Sequence, residues 1–275
     1  MDLLAYWKLK ERPFEATWDT RFYFQSRDHD EALNRLTFLV EEKTMNMGML
    51  TGEVGCGKTL TRAVFTKRLN PDRYCVVTQE NSAFSFRDLL GGVLQKLDPN
   101  GKGHTKFARC DRLKLITERF HAEEKHLVLV FDEAQEMSPG GLNELKLLTN
   151  WNGGGQNFLT IILLGQPELR GLVSRLPAID QRISLRFHLG PITAHECSAY
   201  LRHRLIAAGH SHGELFQPQA AERIFNTSKG IPREVNRLAK LALEYAWLCE
   251  MPSVMETAVD MIVRDLSRHQ TLCAA

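Results

Sequence analysis

The sequence predicts an α/β domain with a parallel sheet, followed by a small all-α domain. Short apolar runs alternate with amphipathic stretches up to about residue 190, and this alternation is typical of a doubly wound α/β fold. Two of the runs, at 127–131 and 159–164, are continuously apolar. Strands of a parallel sheet that is covered on both faces have this composition. Beyond Pro191 only helical patterns remain.

The individual elements follow from local patterns. Strands are predicted at 47–50, 74–78, 127–131, 159–164 and 184–189. Helices are predicted at 29–43, 60–69, 86–97 and 141–151, where apolar residues recur at helical spacing. Thr193-x-x-Glu196 and Ser253-x-x-Glu256 match the capping-box pattern of helix starts. About four helices are expected in the C-terminal region.

A phosphate-binding loop is predicted between the first strand and the helix after it. The run GEVGCGKT matches G-x-x-x-x-G-K-[ST] at every fixed position, in the strand–loop–helix setting that this motif requires. Glycines let the backbone N–H groups point at phosphate oxygens. A glycine-rich turn that binds nothing is the alternative, and the complete pattern disfavours it. The predicted nucleotide-binding residues are Gly52, Glu53, Val54, Gly55, Cys56, Gly57, Lys58, Thr59 and Leu60.

Lys58 is predicted to reach the β- and γ-phosphates, and the Thr59 hydroxyl to hold Mg²⁺. The third predicted strand ends in Asp132-Glu133, at the strand tip where α/β sheets bind ligands. Asp132 would complete the magnesium shell, and Glu133 would polarise an attacking water as general base. Since a small-molecule kinase needs no such glutamate, the pair favours ATP hydrolysis over phosphorylation of a metabolite. The expected cofactors are ATP and Mg²⁺.

Composition restricts the class of protein. The 275 residues carry a net charge of +2, which indicates neither a nucleic-acid partner nor a membrane partner. The six cysteines lack metal-binding spacing, which favours reduced thiols. The N-terminus lacks a signal-peptide core, and no stretch approaches the ~20 apolar residues needed to cross a bilayer. A soluble, cytoplasmic protein without membrane insertion is therefore expected.

Further motifs run through nearly the whole chain in a defined order. They are Trp7-x-Leu9-x-x-x-Pro13-Phe14, Arg21-Phe22-Tyr23-Phe24, Leu50-Thr51-Gly52-Glu53-Val54-Gly55, Asp132-Glu133-Ala134-Gln135, Leu145-x-x-Leu148-x-Asn150, Leu164-Gly165-Gln166-Pro167-Glu168-Leu169 and Gly230-Ile231-Pro232-Arg233-x-Val235-Asn236. With these motifs the chain resembles an AAA+ ATPase, and more narrowly the ExeA/GspA-like family.

The resemblance implies a P-loop AAA+ core with a three-layer α/β fold at 47–190. It also implies an N-terminal segment and helix at 1–46 that pack on this core, and a helical lid at 191–275. In the implied sheet, the strand before Gln166 lies between the strands that precede Lys58 and Asp132. Aromatic residues of the N-terminal segment, such as Phe14, pack either around the adenine or in the protein core.

The same resemblance assigns further roles. Gln166 stands where AAA+ proteins keep a polar sensor of the γ-phosphate, the alternative being a plain strand cap. Arg233 matches the second sensor, which contacts phosphate from a lid helix, and the alternative is a surface arginine. Arg182 is the expected finger that enters a neighbouring subunit's site, although Arg175, Arg186 and a purely structural arginine compete for this role. The expected assembly is a homo-oligomeric ring or filament.

Three roles remain open. ExeA-type secretion proteins usually carry a transmembrane segment and a cell-wall-binding domain after the ATPase, and this sequence ends at Ala275. A short soluble form similar to TnsC/MuB-type regulators of DNA transposition is therefore expected, with double-stranded DNA and a transposase as partners. Lys102, Lys106 and Arg109 would neutralise DNA phosphates, unless they form only a solvated basic face. The alternatives are a secretion or pilus-assembly ATPase with a membrane partner, and a non-oligomeric nucleotide switch.

Overall fold

In a computed structural model of the protein, residues 2–273 are described. The strands are β1 (Met47–Gly52), β2 (Tyr74–Gln79), β3 (His126–Phe131), β4 (Asn152–Gly153), β5 (Gln156–Asn157), β6 (Leu159–Gly165) and β7 (Ile183–Leu189). The α-helices are α1 (Leu3–Tyr6), α2 (Arg27–Glu41), α3 (Lys58–Arg68), α4 (Phe86–Leu97), α5 (Lys106–Ala122), α6 (Pro139–Leu145), α7 (Glu168–Ser174), α8 (Pro177–Asp180), α9 (Ala194–Ala207), α10 (Pro218–Ser228), α11 (Pro232–Leu248) and α12 (Glu256–Cys273).

The chain divides into two units. The sheet unit contains residues 30–54 and 61–189, and the helical unit contains the chain up to residue 29, residues 55–60, and the chain from residue 190 onward. Each unit has its own apolar core.

The sheet unit is built on a parallel sheet of five strands in the order β2-β3-β6-β1-β7. Every residue of β3 and β6 is buried, as expected for central strands that are covered on both faces. All five predicted strands are confirmed. The predicted strand order is also confirmed, because β6 lies between β1 and β3.

Helix α4 shows why the local patterns predict this fold well. The Ser85 hydroxyl caps its first turn by accepting a hydrogen bond from the Asp88 amide. One face then buries Phe86, Leu89, Leu90, Val93 and Leu94 in the core of the sheet unit. The predicted helix at 86–97 is therefore confirmed with its bounds.

Two helical segments of the sheet unit differ from the predictions. The helix predicted at 141–151 begins earlier, at Pro139, because Ser138 accepts a hydrogen bond from the Gly141 amide. It ends at Leu145, and a separate 3₁₀ turn covers Leu148–Asn150. Helix α5 was not predicted, because charged residues dilute its apolar pattern and only Leu113, Ile116 and Thr117 are buried.

The C-terminal region forms the predicted four helices, α9 to α12, within the described residues. The capping box at Thr193 and Glu196 is confirmed in both of its hydrogen bonds. The second predicted capping box is wrong. Helix α12 begins at Glu256, three residues after Ser253, and the Ser253 hydroxyl instead accepts a hydrogen bond from the Gln217 side chain at 3.1 Å.

The first 29 residues belong to the helical unit. The apolar side chains of the segment lie in the same cluster as those of α9 to α12. The buried members of that segment are Leu3, Trp7, Leu9, Phe14 and Phe22. Core packing is thus the observed role of Phe14, whose ring meets the edge of Phe216 at 5.7 Å.

The later part of α2 belongs to the sheet unit. Leu39 packs so closely on Gly48 of β1 that no Cβ would fit there. The Arg35 guanidinium lies over the Phe187 ring of β7, 4.9 Å from its centroid.

Replacing Trp7 by Ala should destabilise the helical unit by about 3–5 kcal/mol, the usual loss for a buried aromatic side chain. Trp7 is 3% exposed, and its indole N–H donates to the Leu243 carbonyl at 3.3 Å. Chemical denaturation followed by circular dichroism measures the change. Trp18→Ala is the control, because Trp18 is 62% exposed. Equal losses in the two variants would contradict the assignment of the N-terminal segment to this core.

Candidate active site

The phosphate loop of the helical unit has two residues in the left-handed region. Gly55 has φ +88° and Gly57 has φ +96°, values that glycine adopts without steric cost. Neighbouring atoms also fill the space beside both residues. A Cβ on Gly55 would lie 2.6 Å from the Cβ of Arg233, and a Cβ on Gly57 would lie 2.8 Å from Nε2 of His29. The two motif glycines are therefore required both by conformation and by space.

Helix α3 begins at Lys58, directly after the loop. The amides of Lys58, Thr59 and Leu60 lie in its first turn, where no carbonyl of the helix accepts from them. The positive end of the helix dipole adds to these donors, which makes the start of α3 suited to an anion. Lys58 is buried, whereas Thr59 and Leu60 are half-buried.

The start of α11 lies against the same loop. The Arg233 amide donates to the Gly55 carbonyl at 3.2 Å, while the Arg233 side chain is exposed. The sequence predicted a contact of the Arg233 side chain with phosphate. The structure also shows a direct backbone hydrogen bond between α11 and the loop.

The remaining predicted loop residues belong to the sheet unit. Gly52 is the last residue of β1, and a Cβ there would lie 2.7 Å from the Leu189 carbonyl oxygen. Glu53 and Val54 follow and are exposed.

Asp132 follows β3 and is buried. Its carboxylate accepts a hydrogen bond from the Glu133 amide at 3.0 Å and lies 3.4 Å from the Arg62 guanidinium. Its carbonyl accepts from the Ser82 hydroxyl at 2.6 Å, and its amide donates to Gln79 of the neighbouring strand at 2.8 Å. These contacts fix the carboxylate at the C-terminal edge of the sheet.

Glu133 is held in a left-handed conformation, with φ 50° and ψ 42°. This region is unfavourable for residues with a Cβ, by about 1–2 kcal/mol. Such strain is typical of functional sites, where the surroundings impose it. Of the predicted catalytic residues Glu133, Gln166 and Arg182, Glu133 is the one with a positive φ.

Two glutamine side chains hold the Glu133 carboxylate. Nε2 of Gln135 donates to Oε2 of Glu133 at 2.7 Å, and Nε2 of Gln166 lies 3.4 Å from the same oxygen. The Gln166 amide in turn donates to the Gln135 side-chain oxygen at 3.0 Å. The structure thus brings together Glu133 and Gln166, which the sequence predicted, through Gln135, to which it gave no role.

The three candidate finger arginines have different surroundings. Arg182 donates to the Thr149 hydroxyl, the Asn150 side chain and the Ala178 carbonyl, at 2.8–3.3 Å. Arg186 pairs with Asp180 at 2.8 Å. Arg175 is exposed. The geometry therefore gives Arg182 a structural function within its own chain.

The predicted DNA-contacting residues also differ from one another. Lys106 pairs with Glu144 at 3.0 Å. Arg109 is largely covered and donates to the Arg87 carbonyl. Lys102 is exposed in the loop before α5.

Two residues around the strand ends were missed by the sequence reasoning. Arg62 lies four residues after Lys58 on α3, and that spacing on a helix was the available signal. Ser82 gives no local signal, because its contact with Asp132 joins residues 50 positions apart.

Known proteins resemble the chain in sequence. Residues 41–173 match the family model of the AAA domain. The chain is also 32% identical over 244 residues to general secretion pathway protein A of Aeromonas hydrophila. That match covers 86% of this chain and 43% of the secretion protein, so the chain spans less than half the length of that relative.

Solved structures share the AAA fold. The ORC2 protein of Aeropyrum pernix, in ADPNP-ADP complexes, matches with a TM-score of 0.68 and 18% identity, covering 91% of this chain and 70% of that chain. Drosophila ORC bound to DNA matches with a TM-score of 0.66 and 15% identity, covering 94% and 64%. The RuvB Holliday junction branch migration motor of Thermotoga maritima matches with a TM-score of 0.54 and 16% identity, covering 88% and 70%. The predicted fold class is confirmed.

Two features are absent from the described residues. No helix in that part of the chain is long and apolar enough to cross a membrane. No group of three or more His, Cys, Asp and Glu side chains in the same part could hold a metal ion. Magnesium does not need such a group, because it is usually held by one or two carboxylates together with substrate phosphates.

Replacing Glu133 by Gly should leave the AAA domain about 1 kcal/mol more stable than replacing it by Ala, because only glycine relieves the left-handed strain. Both variants lack the carboxylate, so the difference between their free energies of unfolding reports the effect of the backbone conformation. Urea denaturation measures it. Glu136 is the matched control position, since its φ is not positive and the Gly variant should be the less stable one there. If the Gly and Ala variants had the same order of stability at positions 133 and 136, strain at Glu133 would be contradicted.

Proposed function

We propose that the protein binds and hydrolyses ATP with Mg²⁺. The observation that carries the proposal is the phosphate loop, with left-handed Gly55 and Gly57 leading into the first turn of α3. This arrangement directs backbone donors at an anion. Lys58 would neutralise the β- and γ-phosphates.

The residue types fit a magnesium ion. Thr59 offers a hydroxyl oxygen and Asp132 a carboxylate oxygen, the hard ligands that Mg²⁺ prefers. When bound, the ion would neutralise charge that develops on the phosphates. Arg62 and the Glu133 amide hold the Asp132 carboxylate in place.

Glu133 would accept the proton of the attacking water. The Gln135 and Gln166 side chains both approach Oε2 of Glu133, which orients the carboxylate and leaves Oε1 for the water. Gln166 would also act as the polar sensor of the γ-phosphate. We favour hydrolysis over phosphorylation of a metabolite, as the Asp132-Glu133 pair predicted from the sequence.

Lys58→Ala should abolish ATP binding, and Glu133→Gln should bind ATP but hydrolyse it at least ~10²-fold more slowly, the scale of a lost general base. Calorimetry and phosphate release measure the two effects. Retained ATP affinity in Lys58→Ala would contradict the phosphate loop. Unchanged turnover in Glu133→Gln would remove Glu133 from the reaction.

We further propose a homo-oligomer, ring or filament, in which an arginine completes the site of a neighbouring subunit. Arg182 was the candidate from the sequence. Arg175 suits this role better, because its side chain is exposed while Arg182 donates three hydrogen bonds within its own chain. The Arg233 side chain, exposed at the start of α11, would respond to the phosphates as second sensor.

For the biological role, we propose a cytoplasmic ATPase that acts on a protein partner of a membrane secretion or pilus-assembly system. The 32% identity to general secretion pathway protein A over most of this chain supports this role. The second candidate is a regulator of transposition that binds double-stranded DNA and a transposase. The exposed Lys102 supports it, whereas the pairing of Lys106 with Glu144 does not.

Anisotropy with labelled duplex DNA separates the two roles, measured with and without a non-hydrolysable ATP analogue at two salt concentrations. The secretion role predicts no analogue-dependent binding at either salt concentration. Binding that needs the analogue, weakens steeply with salt and is lost in Lys102→Ala would overturn it in favour of transposition. Glu214→Ala, which alters an exposed charge of the helical unit, is the surface control.

A further inference from the structure

His29 lies at the start of α2 and contacts the phosphate loop with its ring. The side chain is buried, and Nε2 lies 3.1 Å from the carbonyl oxygen of Cys56. Nδ1 lies 2.6 Å from the Ser26 hydroxyl, which also accepts from the His29 amide at 3.3 Å. The Tyr23 hydroxyl donates to the His29 carbonyl at 3.3 Å, and its ring meets the imidazole edge-on.

These contacts select one tautomer of the imidazole. A carbonyl oxygen only accepts hydrogen bonds, so Nε2 must carry the proton that it shares with Cys56. Nδ1 of the neutral ring is then an acceptor, and the Ser26 hydroxyl donates to it. Burial lowers the pKa of His29, although the bond to Cys56 acts in the opposite direction. The ring is therefore neutral at pH 7.

The bond to Cys56 determines the direction of the next amide. A trans peptide is planar, with its carbonyl and N–H on opposite sides, and no described peptide bond of the chain is cis. Because His29 holds the Cys56 carbonyl, the Gly57 N–H, which is antiparallel to that carbonyl within the same peptide plane, must point away from the imidazole. In this motif, the loop N–H groups are the donors to phosphate.

We propose that His29 is a positioning residue that holds the Cys56–Gly57 peptide in the orientation that binds phosphate, with Ser26 fixing its tautomer. The proposal rests on the proposed function, because it concerns the same loop. The absence of a Cβ at Gly57 is part of the arrangement, since His29 Nε2 occupies that space. His29 needs no contact with the nucleotide to act in this way.

His126 is a second buried histidine and serves as a comparison. It is buried in the sheet unit, and its Nε2 lies 2.9 Å from the Thr160 hydroxyl. Burial lowers its pKa to about 4. Its hydrogen bond joins it to a neighbouring strand, away from the loop, so it is a matched control for the cost of losing a buried imidazole.

The test is the affinity for ADP, measured by calorimetry on the full chain without Mg²⁺. His29→Met, which keeps bulk but loses the donor, should raise Kd about tenfold, or about 1.4 kcal/mol. His29→Gln restores an N–H donor and should stay within about threefold of the wild type. His126→Met should lower the unfolding temperature without changing Kd. Unchanged Kd in a folded His29→Met variant would overturn the proposal.

Two further variants keep the outcome unambiguous. If His29→Met does not fold, Ser26→Ala takes its place. It frees Nδ1 and should weaken ADP binding by about threefold, and an unchanged Kd would equally overturn the proposal. Lys58→Ala tests the proposed function separately. Loss of ADP binding in Lys58→Ala together with wild-type binding in His29→Met would reject the role of His29 alone.

Discussion

The left-handed backbone of the phosphate loop is the constraint on which the packing around the loop in the helical unit depends. Because Gly55 and Gly57 have no Cβ, Arg233 and His29 can pack directly against the loop backbone. The Cβ of Arg233 occupies one position and the imidazole of His29 the other. A change in the loop conformation must therefore displace the start of α11, the start of α2, or both. The start of α11 is thus linked to the loop directly through the Arg233 backbone.

In the sheet unit, a residue other than glycine adopts a left-handed conformation. Glu133 adopts a left-handed conformation that glycine would adopt without strain, whereas the proposed hydrolysis would require a carboxylate at this position. The surroundings have to compensate for the strain. Gln135 approaches the carboxylate from two residues away and Gln166 approaches it from the end of β6. The same contacts that hold the strained residue also orient its reactive group, so stability and chemistry depend on one network.

Much of the fold could be predicted from the sequence, for reasons visible in particular elements. Buried parallel strands are continuously apolar, and α4 combines a capping serine with one apolar face. Helix α5 was not predicted, because few of its residues are buried and its apolar pattern is therefore weak. The apolar pattern of residues 1–29 predicts burial without indicating which core receives these side chains, and in the structure they join the cluster of α9 to α12. Of the candidate site, the phosphate loop and Asp132-Glu133 followed from spacing, whereas His29 depends on a contact with Cys56, 27 positions away, that no spacing encodes. Gln135 is only two residues from Glu133, but its residue type alone does not indicate that contact.

Basic residues also show that closeness in sequence does not reveal which contacts a side chain makes. Lys102, Lys106 and Arg109 suggested a surface for DNA because they lie close together in the sequence. In the fold, Arg112 pairs with Asp98 at 2.8 Å and donates to the Gly101 carbonyl at 2.7 Å. Arg109 donates to the Arg87 carbonyl. The loop between α4 and α5 exposes backbone carbonyls that no secondary structure satisfies, and arginine, with five donors, can satisfy several at once. Arg112 beside this glycine-containing loop therefore reflects the loop's own hydrogen-bonding needs before it indicates a polyanionic partner, and Arg109 likewise serves the carbonyl of Arg87 in α4.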